Sequence, residues 1–375
     1  MRRSFPLPLL VGLLLLLILG GALPVAAQAP EAMAQLSFSQ FAEQKSVAPA
    51  ALAQELGLPL GTDFSQPVGQ LMREHQISRE KMLAAVGRAN PVAAEGESKD
   101  WRKIRIKFVL WVLCFAAVMV LLGRVKITRP LRMGALLAAT LVFGVWLGVE
   151  PNAPGTVKDA LVLYGEKHII FPPRLIALLA FMLMSIIGNK VFCGWACQFG
   201  TLQDLVWHSP LRKWKPPFAL SNTIRALFFA AVAGAALFVP LDILEPIDPF
   251  RVFRLATPLA VGTAVIVLLA GLFIYRPWCN FFCPFGLLSW LGERVSVARV
   301  RINHNTCIDC RACERACPTH SMEQLRAEKR FAQDCFACGA CLRTCPAKAL
   351  RWGTKPPADE KAVGTVSGPT DHEVH

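Results

Sequence analysis

The sequence predicts an α-helical integral membrane protein of five or six transmembrane helices with an internal pseudo-repeat, followed by a small C-terminal α+β domain rich in cysteine. Three observations predict it. Apolar residues make up 54% of the 375-residue chain and charged residues 18%, where ordinary globular domains carry about 25% charge. Five long apolar runs follow residue 100. All but one of the 13 cysteines fall in four short stretches. The apolar content excludes a disordered chain. The length and the bunched cysteines exclude a small disulfide scaffold.

The elements follow in order. Met1-Arg2-Arg3, an apolar run from Leu7 to Ala22 and the small residues Val25-Ala26-Ala27 form the pattern of a secretory signal, residues 1–27. An uncleaved first membrane helix is the other reading. Both place residue 30 onward outside the cytoplasm. Residues 28–100 are polar, with six Lys/Arg against nine Asp/Glu. Helical patterns at Pro49–Leu56, Val68–Glu74 and Ser78–Val86 predict a small helical extracytoplasmic domain, with linkers at 28–45 and 90–100. Gly57 suits a helix stop and Ser78 an N-cap. The domain has no cysteine and no catalytic pair, which suits docking or spacing.

The apolar runs lie near 104–122, 133–149, 174–189, 223–241 and 257–275, within a membrane domain at 101–293. A bilayer core of about 30 Å needs roughly 20 helical residues. Loops rich in Lys/Arg stay cytoplasmic. Loops 123–132 and 190–222 together carry eight such residues; loops 150–173 and 242–256 carry four. Residues 101–107, with Arg102, Lys103, Arg105 and Lys107, oppose the trend. The signal outweighs them, so the C-terminal part is expected in the cytoplasm and the protein in the bacterial inner membrane. Residues 353–375 lack periodicity and read as a disordered tail.

Residues 307–318 read C-I-D-C-R-A-C-E-R-A-C-P, and 335–346 read C-F-A-C-G-A-C-L-R-T-C-P. This is the bacterial ferredoxin spacing for [4Fe–4S] clusters, in which the fourth cysteine ligates the other cube. It predicts two clusters in a bacterial-type ferredoxin domain at 294–352. One is held by Cys307, Cys310, Cys313 and Cys345, the other by Cys335, Cys338, Cys341 and Cys317. Short strands such as Arg299–Ile302 and Ala349–Trp352 are expected to flank them. Zinc would explain four cysteines but not two matched quartets with proline. Disulfides do not suit a reducing cytoplasm.

Two further pairs follow apolar runs. Lys190-Val191-Phe192-Cys193-Gly194-Trp195-Ala196-Cys197-Gln198-Phe199-Gly200 aligns with Arg276-Pro277-Trp278-Cys279-Asn280-Phe281-Phe282-Cys283-Pro284-Phe285-Gly286 at an offset of 86. The repeat unit is two helices plus a motif. Both motifs are expected at the cytoplasmic face, as turns leading into interfacial helices, with Trp195, Trp207, Trp278 and Trp290 in the interfacial belt. Cys193, Cys197, Cys279 and Cys283 could supply four thiolates to a third metal centre, act as redox thiols, hold copper, or pack as buried free cysteines. Cys114, alone in an apolar run, reads as core. No histidine lies inside an apolar run, and no Gly-rich nucleotide fingerprint occurs. Glu150 and the segment from Asp242 to Phe250 place acids beside the runs; they read as proton acceptors for a quinol or as solvated loop residues.

Over residues 104–352 the chain resembles the NapH-type membrane polyferredoxins, the quinol dehydrogenase membrane component of periplasmic nitrate reduction. That group extends to the regulator-like membrane protein of nitrous oxide reduction and the cupric reductase of cytochrome oxidase assembly. The two ferredoxin runs, both C-x3-C motifs and the Asp248-Pro249 loop carry the resemblance. Gln198 departs from it, standing where the family has proline, and the segment 28–100 is extra. The resemblance implies electron transfer between quinone and an iron–sulfur chain. A copper or metal reductase, an assembly factor, and a redox sensor or scaffold are the other readings. Expected partners are membrane lipid, the quinone pool and a cytoplasmic or extracytoplasmic redox protein. The net charge of +14 orients the chain and attracts acidic partners or lipid; it is not a nucleic-acid signature.

Overall fold

The computed structural model describes residues 34–45, 47–59, 62–90, 99–125, 127–168, 170–255, 257–329 and 334–355. The expected signal at 1–27 and the tail from 356 lie outside them. Four short helices open the described chain: α1 (Phe38–Gln44), α2 (Pro49–Leu56), α3 (Val68–Glu74) and α4 (Arg79–Ala89). Pro49 starts α2, and Gly57 at φ +70° ends it. Ser78 caps α4 through the Lys81 amide. Phe38, Phe41, Leu52, Val68, Leu71 and Met82 form their core. The predicted linker at 28–45 is corrected by α1. Ser37 and Gln40 build a capping box that the polar composition had hidden.

Among the described residues, two helices are long and apolar enough to cross a membrane: α5 (Trp101–Gly123) and α11 (Phe218–Phe238). The other three apolar runs form shorter or broken helices. The second is α6 (Arg129–Ala139) continued by a π-helical stretch, Thr140–Trp146, where Gly144 makes room for the Phe253 ring. The third is α8 (Pro172–Gly188), with 17 residues. The fifth is α12 (Pro258–Gly271), with only 14 residues. Its run turns after Gly271, where the Phe273 carbonyl accepts a 2.8 Å bond from the Trp214 amide. Between the second and third runs, within the expected loop 150–173, lies α7 (Ala153–Lys167). Asn152 starts it by accepting a 2.7 Å bond from the Gly155 amide. Gly165 lets α7 touch the α11 backbone at Ala236, where no side chain fits.

Each C-x3-C segment folds as a five-residue helix, a break and a longer helix. The first copy is α9 (Val191–Trp195) and α10 (Gln198–Trp207). The second is α13 (Pro277–Phe281) and α14 (Pro284–Arg294). The breaks superimpose in conformation. Ala196 has φ −127°, ψ −17° and Phe282 has φ −126°, ψ −17°. Cys197 has φ −70°, ψ 115° and Cys283 has φ −69°, ψ 117°. In both copies the second cysteine is an N-cap, and a glycine three residues on, Gly200 or Gly286, closes against the carbonyl of the first cysteine. The offset-86 alignment is thus a repeat of backbone as well as of residue type.

The C-terminal unit pairs β1 (Arg299–Ile302) antiparallel with β2 (Leu350–Gly353), Arg299 opposite Gly353 and Ile302 opposite Leu350. β2 runs one residue past the expected domain end at 352 because Gly353 completes this pairing. Between the strands lie α15 (Ala312–Ala316), α16 (Ser321–Arg326) and α17 (Ala340–Thr344). α15 and α17 occupy matching places in the two cysteine runs, each led by a left-handed residue, Arg311 at φ +55° and Gly339 at φ +74°. Gly339 rests on Leu122 and Ile127, which seats this unit at the C-terminal end of α5.

Candidate functional site

The two ferredoxin quartets line two separate cavities. Cys307, Cys310, Cys313 and Cys345 surround one, beside Ile302 and Leu350 of the strands. Cys317, Cys335, Cys338 and Cys341 surround the other, with Tyr275 and Met322. The fourth cysteine of each run therefore stands with the first three of the other run. Cys317 and Cys345 reach across because each follows its helix in extended backbone, with ψ 125° and 106°. Burial pushes the thiols of Cys335, Cys338 and Cys341 up, and neighbouring cysteines push them further. Thiolates there need a cationic ligand to persist. This donor set fits an iron–sulfur cube. Among the described residues no three His, Cys, Asp or Glu side chains converge tightly enough for a single metal ion. The Arg326 guanidinium lies 3.8 Å from the Cys307 sulfur and is held by Asp309 and Glu314, each at 2.6 Å. An N–H group beside a ligand sulfur is one of the controls on cluster potential.

The C-x3-C motifs lie beside the ferredoxin unit, as expected, and are packed into the helices. Phe192 packs between Trp111 and Phe181, at 5.2 and 4.7 Å between ring centroids. Gln198, Phe199, Thr201, Gln203 and Asp204 are all buried. Each motif folds back into the bundle because its aromatic residues need apolar neighbours. Trp195 and Trp278 are buried rather than in a belt. Cys193, Cys197, Cys279 and Cys283 come together, all within electrostatic range of one another. Gln203 Nε2 points at the Cys279 sulfur from 3.5 Å. Cys114 packs against the same core, as expected of a lone cysteine.

The ferredoxin unit meets these motifs through one loop, Cys335-Phe336-Ala337-Cys338. Phe336 shares a small buried cluster with Tyr275 and Cys279, against which Cys193 packs. Its ring lies between the aligned basic residues of the repeat, 5.1 Å from Lys190 Nζ and 5.3 Å from the Arg276 guanidinium carbon. Trp195 Nε1 donates to the Ala337 carbonyl at 2.9 Å. Gly194 touches the Phe336 carbonyl, and a Cβ there would collide with it.

Two buried carboxylates fix this geometry. Asp204 accepts from Arg132 at 2.6 Å, Arg276 at 2.6 Å and the Tyr275 hydroxyl at 2.7 Å. Asp334 accepts from Lys190 and, at 3.0 Å, from Arg225. Burial pushes Asp334 up, but Lys190 and Arg225 outweigh it and hold the carboxyl below its usual value. The position aligned with Asp204 in the second repeat is Trp290. The ferredoxin unit thus supplies the carboxylate that the second repeat lacks. Asp334→Asn strands two cations in the interior, which costs about 3–5 kcal/mol. Limited proteolysis should then release the ferredoxin unit ahead of the helices; wild-type protection and melting temperature in this variant would show that the pair does not hold the unit in place. Sequence reasoning missed this residue, since nothing local distinguishes it from a surface acid.

At the other end of α5 lies a second polar group. Lys107, which opposed the charge rule, is buried and donates to the carbonyls of Gly148 at 2.6 Å and Val149 at 3.3 Å. It is therefore an internal contact rather than a loop charge. Gln198 Nε2 donates to the same Val149 carbonyl at 2.8 Å. Gln198 thus uses the place of proline at the start of α10 for a side-chain bond. Glu150 pairs with Lys99 at 2.8 Å, and Lys158 with Asp242 at 2.7 Å and Glu245 at 2.6 Å. Asp248 caps the next turn through the Phe250 amide, and burial pushes its carboxyl up to about 6. Glu150, Asp242 and Glu245 are thus paired in ion networks, not merely solvated.

Paired cysteine cavities docked on a duplicated cysteine motif define the class, an iron–sulfur electron-transfer protein of the ferredoxin type. Comparison with known families agrees. A 4Fe-4S dicluster domain matches residues 299–346. A 4Fe-4S binding domain matches twice, over 170–217 and 255–303, one copy for each C-x3-C motif. YccM of Escherichia coli (strain K12) is 27% identical over 233 residues, 56% of this chain and 64% of that protein. NirI of Paracoccus denitrificans (strain Pd 1222) is 27% identical over 247 residues, 58% of this chain and 35% of that one. The ferredoxin-type protein NapH of Escherichia coli (strain K12) is 26% identical over 151 residues, 38% of this chain and 52% of that one. The chain thus spans one to two thirds of these relatives. No solved structure matches. The chain is a relative of the NapH-type ferredoxin proteins, as its motifs implied, and binds [4Fe–4S] clusters.

Proposed function

We propose that the chain is a membrane-bound carrier of electrons between the quinone pool and a redox partner. Phe336 carries this reading, since it brings the second ferredoxin loop into the buried cluster that holds Cys279 and meets Cys193. Cys307, Cys310, Cys313 and Cys345 hold one cluster; Cys335, Cys338, Cys341 and Cys317 hold the other. Bound clusters supply one-electron exchange at the ferredoxin end. Cys193, Cys197, Cys279 and Cys283 supply the thiolates of a third iron–sulfur centre between the helices. The two matches to a 4Fe-4S binding domain, one over each motif, support that role. Five apolar runs cross the inner membrane, with residues 28–100 outside the cytoplasm and the ferredoxin unit inside it.

Lys190 and Arg276 flank the contact with positive charge, which favours added electrons nearby. Trp195 and Asp334 hold the loop at fixed separation from the motifs. Iron and acid-labile sulfide per chain, with low-temperature EPR, test the assignment. More than eight iron atoms per chain are expected, the excess lost when Cys193 and Cys279 become serine. Eight in the intact chain would leave the four membrane cysteines without a cluster.

A further inference from the structure

We infer that Arg132 of α6 donates a hydrogen bond to a sulfur of the cluster held by Cys317, Cys335, Cys338 and Cys341, so that a helix outside the ferredoxin unit sets how readily this second cluster takes an electron. The inference rests on the cluster assignment above and adds a potential-setting residue to it. Arg132 lies in the interior, only 4% exposed. Its Nη2 donates to Asp204 Oδ2 at 2.6 Å. Its Nη1 is buried and finds no partner among the described residues. Arg276, another guanidinium on Asp204, has its Nη1 and Nη2 taken up by the carbonyls of Cys193 and Gly194. A buried N–H without an acceptor is rare and calls for one beside it. Arginine keeps its charge even in an interior, so it has no neutral form to fall back on.

Two chains of contact place Arg132 beside the second cavity. The Asp204 oxygen that it holds also accepts from the Tyr275 hydroxyl at 2.7 Å, and Tyr275 lines that cavity with the four cysteines. The guanidinium carbon stands 4.5 Å over the Trp195 ring, and Trp195 Nε1 holds the carbonyl of Ala337, the residue before Cys338. Among neighbouring charges, the Arg132 guanidinium acts most strongly on the Cys338 thiol and favours its thiolate. The first cavity has a comparable device. There Arg326 is pinned by Asp309 and Glu314 and extends its Nη1 to the Cys307 sulfur. In both places a carboxylate pins an arginine and one N–H remains for sulfur. The source differs, since Arg326 belongs to the ferredoxin unit and Arg132 to α6. Reduction adds one electron to the cluster and breaks no bond. The sulfurs then carry more negative charge and accept more strongly, so the N–H bond favours the reduced form and raises the potential. Arg132 keeps its proton throughout.

The test is a redox titration of the full-length protein in liposomes, followed by EPR, with dithionite and mediators as reductant. Arg132→Gln removes the charge and the free N–H. Asp204 keeps Arg276 and Tyr275, so the fold is expected to hold. The second cluster should become about tenfold harder to reduce, a fall of ~59 mV for one electron, and the first should not move. Arg326→Gln should do the reverse and lower only the first. The first cluster is identified as the signal that survives Cys317→Ser. A second measurement needs no variant. Pulsed EPR of the reduced wild-type protein carrying 15N-arginine should show a nitrogen coupling on the signal of the second cluster. An unshifted second cluster in Arg132→Gln, equal shifts of both clusters, or no nitrogen coupling at the second would overturn the inference. Quinol takes no part in the titration, so failure of the quinone reading would leave this result standing. Absence of iron from the wild-type chain would overturn the cluster assignment, and this inference with it.

Discussion

Replacing Cys193 and Cys279 together by serine is expected to slow quinol-driven reduction of the ferredoxin clusters about a hundredfold or more, with reduction by dithionite unchanged. Of the membrane quartet, these two cysteines lie in or against the buried cluster that holds Phe336. Serine keeps the volume and removes the soft ligand, so the docking of the ferredoxin unit should survive. Its anchors are elsewhere, in Asp334 with Lys190 and Arg225, and in the Trp195 bond to Ala337. The two reductants therefore separate the relay from the fold. Dithionite reaches the exposed cluster end, where Cys310 is open to solvent. In the proposed function quinol delivers electrons from within the helices. Stopped-flow bleaching measures both, and equal loss with both reductants would mean that the serines destroyed the ferredoxin unit rather than the relay.

The second large effect is expected of Cys317→Ser. Sequence position assigns this cysteine to the first run, but it lines the cavity of the second, with Cys335, Cys338 and Cys341. The cluster of the second run should be lost or reduced to three irons. The cluster held by Cys307, Cys310, Cys313 and Cys345 should keep its spectrum. EPR of the reduced protein distinguishes them, because two nearby paramagnets broaden each other and one alone gives a simple signal. Loss of the cluster of the first run alone would refute the crossed arrangement.

Much of this chemistry could be read from local pattern. The ferredoxin runs announce themselves by spacing, and β1 falls at Arg299–Ile302, as expected of a segment leading into such a loop. The repeat was legible from Lys190 and Arg276 onward, because matched residues impose matched backbone, down to the φ and ψ of Cys197 and Cys283. What stayed hidden was long-range. Asp334 finds its partner Lys190 across 144 residues, and Asp204 finds Arg132 across 72. No window of sequence contains either pair. The burial of the motifs was not legible either: Phe192, Phe199 and Trp278 gain more from the core than Gln198 and Asp204 lose, once those two find buried partners. Helix α7 escapes the sequence pattern because Lys158, Asp159 and Glu166 break its apolar count; Asn152 caps its start.

The central step of the proposed function is electron exchange between a lipid-borne quinol and the ferredoxin clusters. It is read most directly from wild-type protein in liposomes, as cluster absorbance after mixing with a low-potential quinol. Bleaching that approaches the extent reached with dithionite is the expected result. Full bleaching by dithionite with none by any quinol would contradict it.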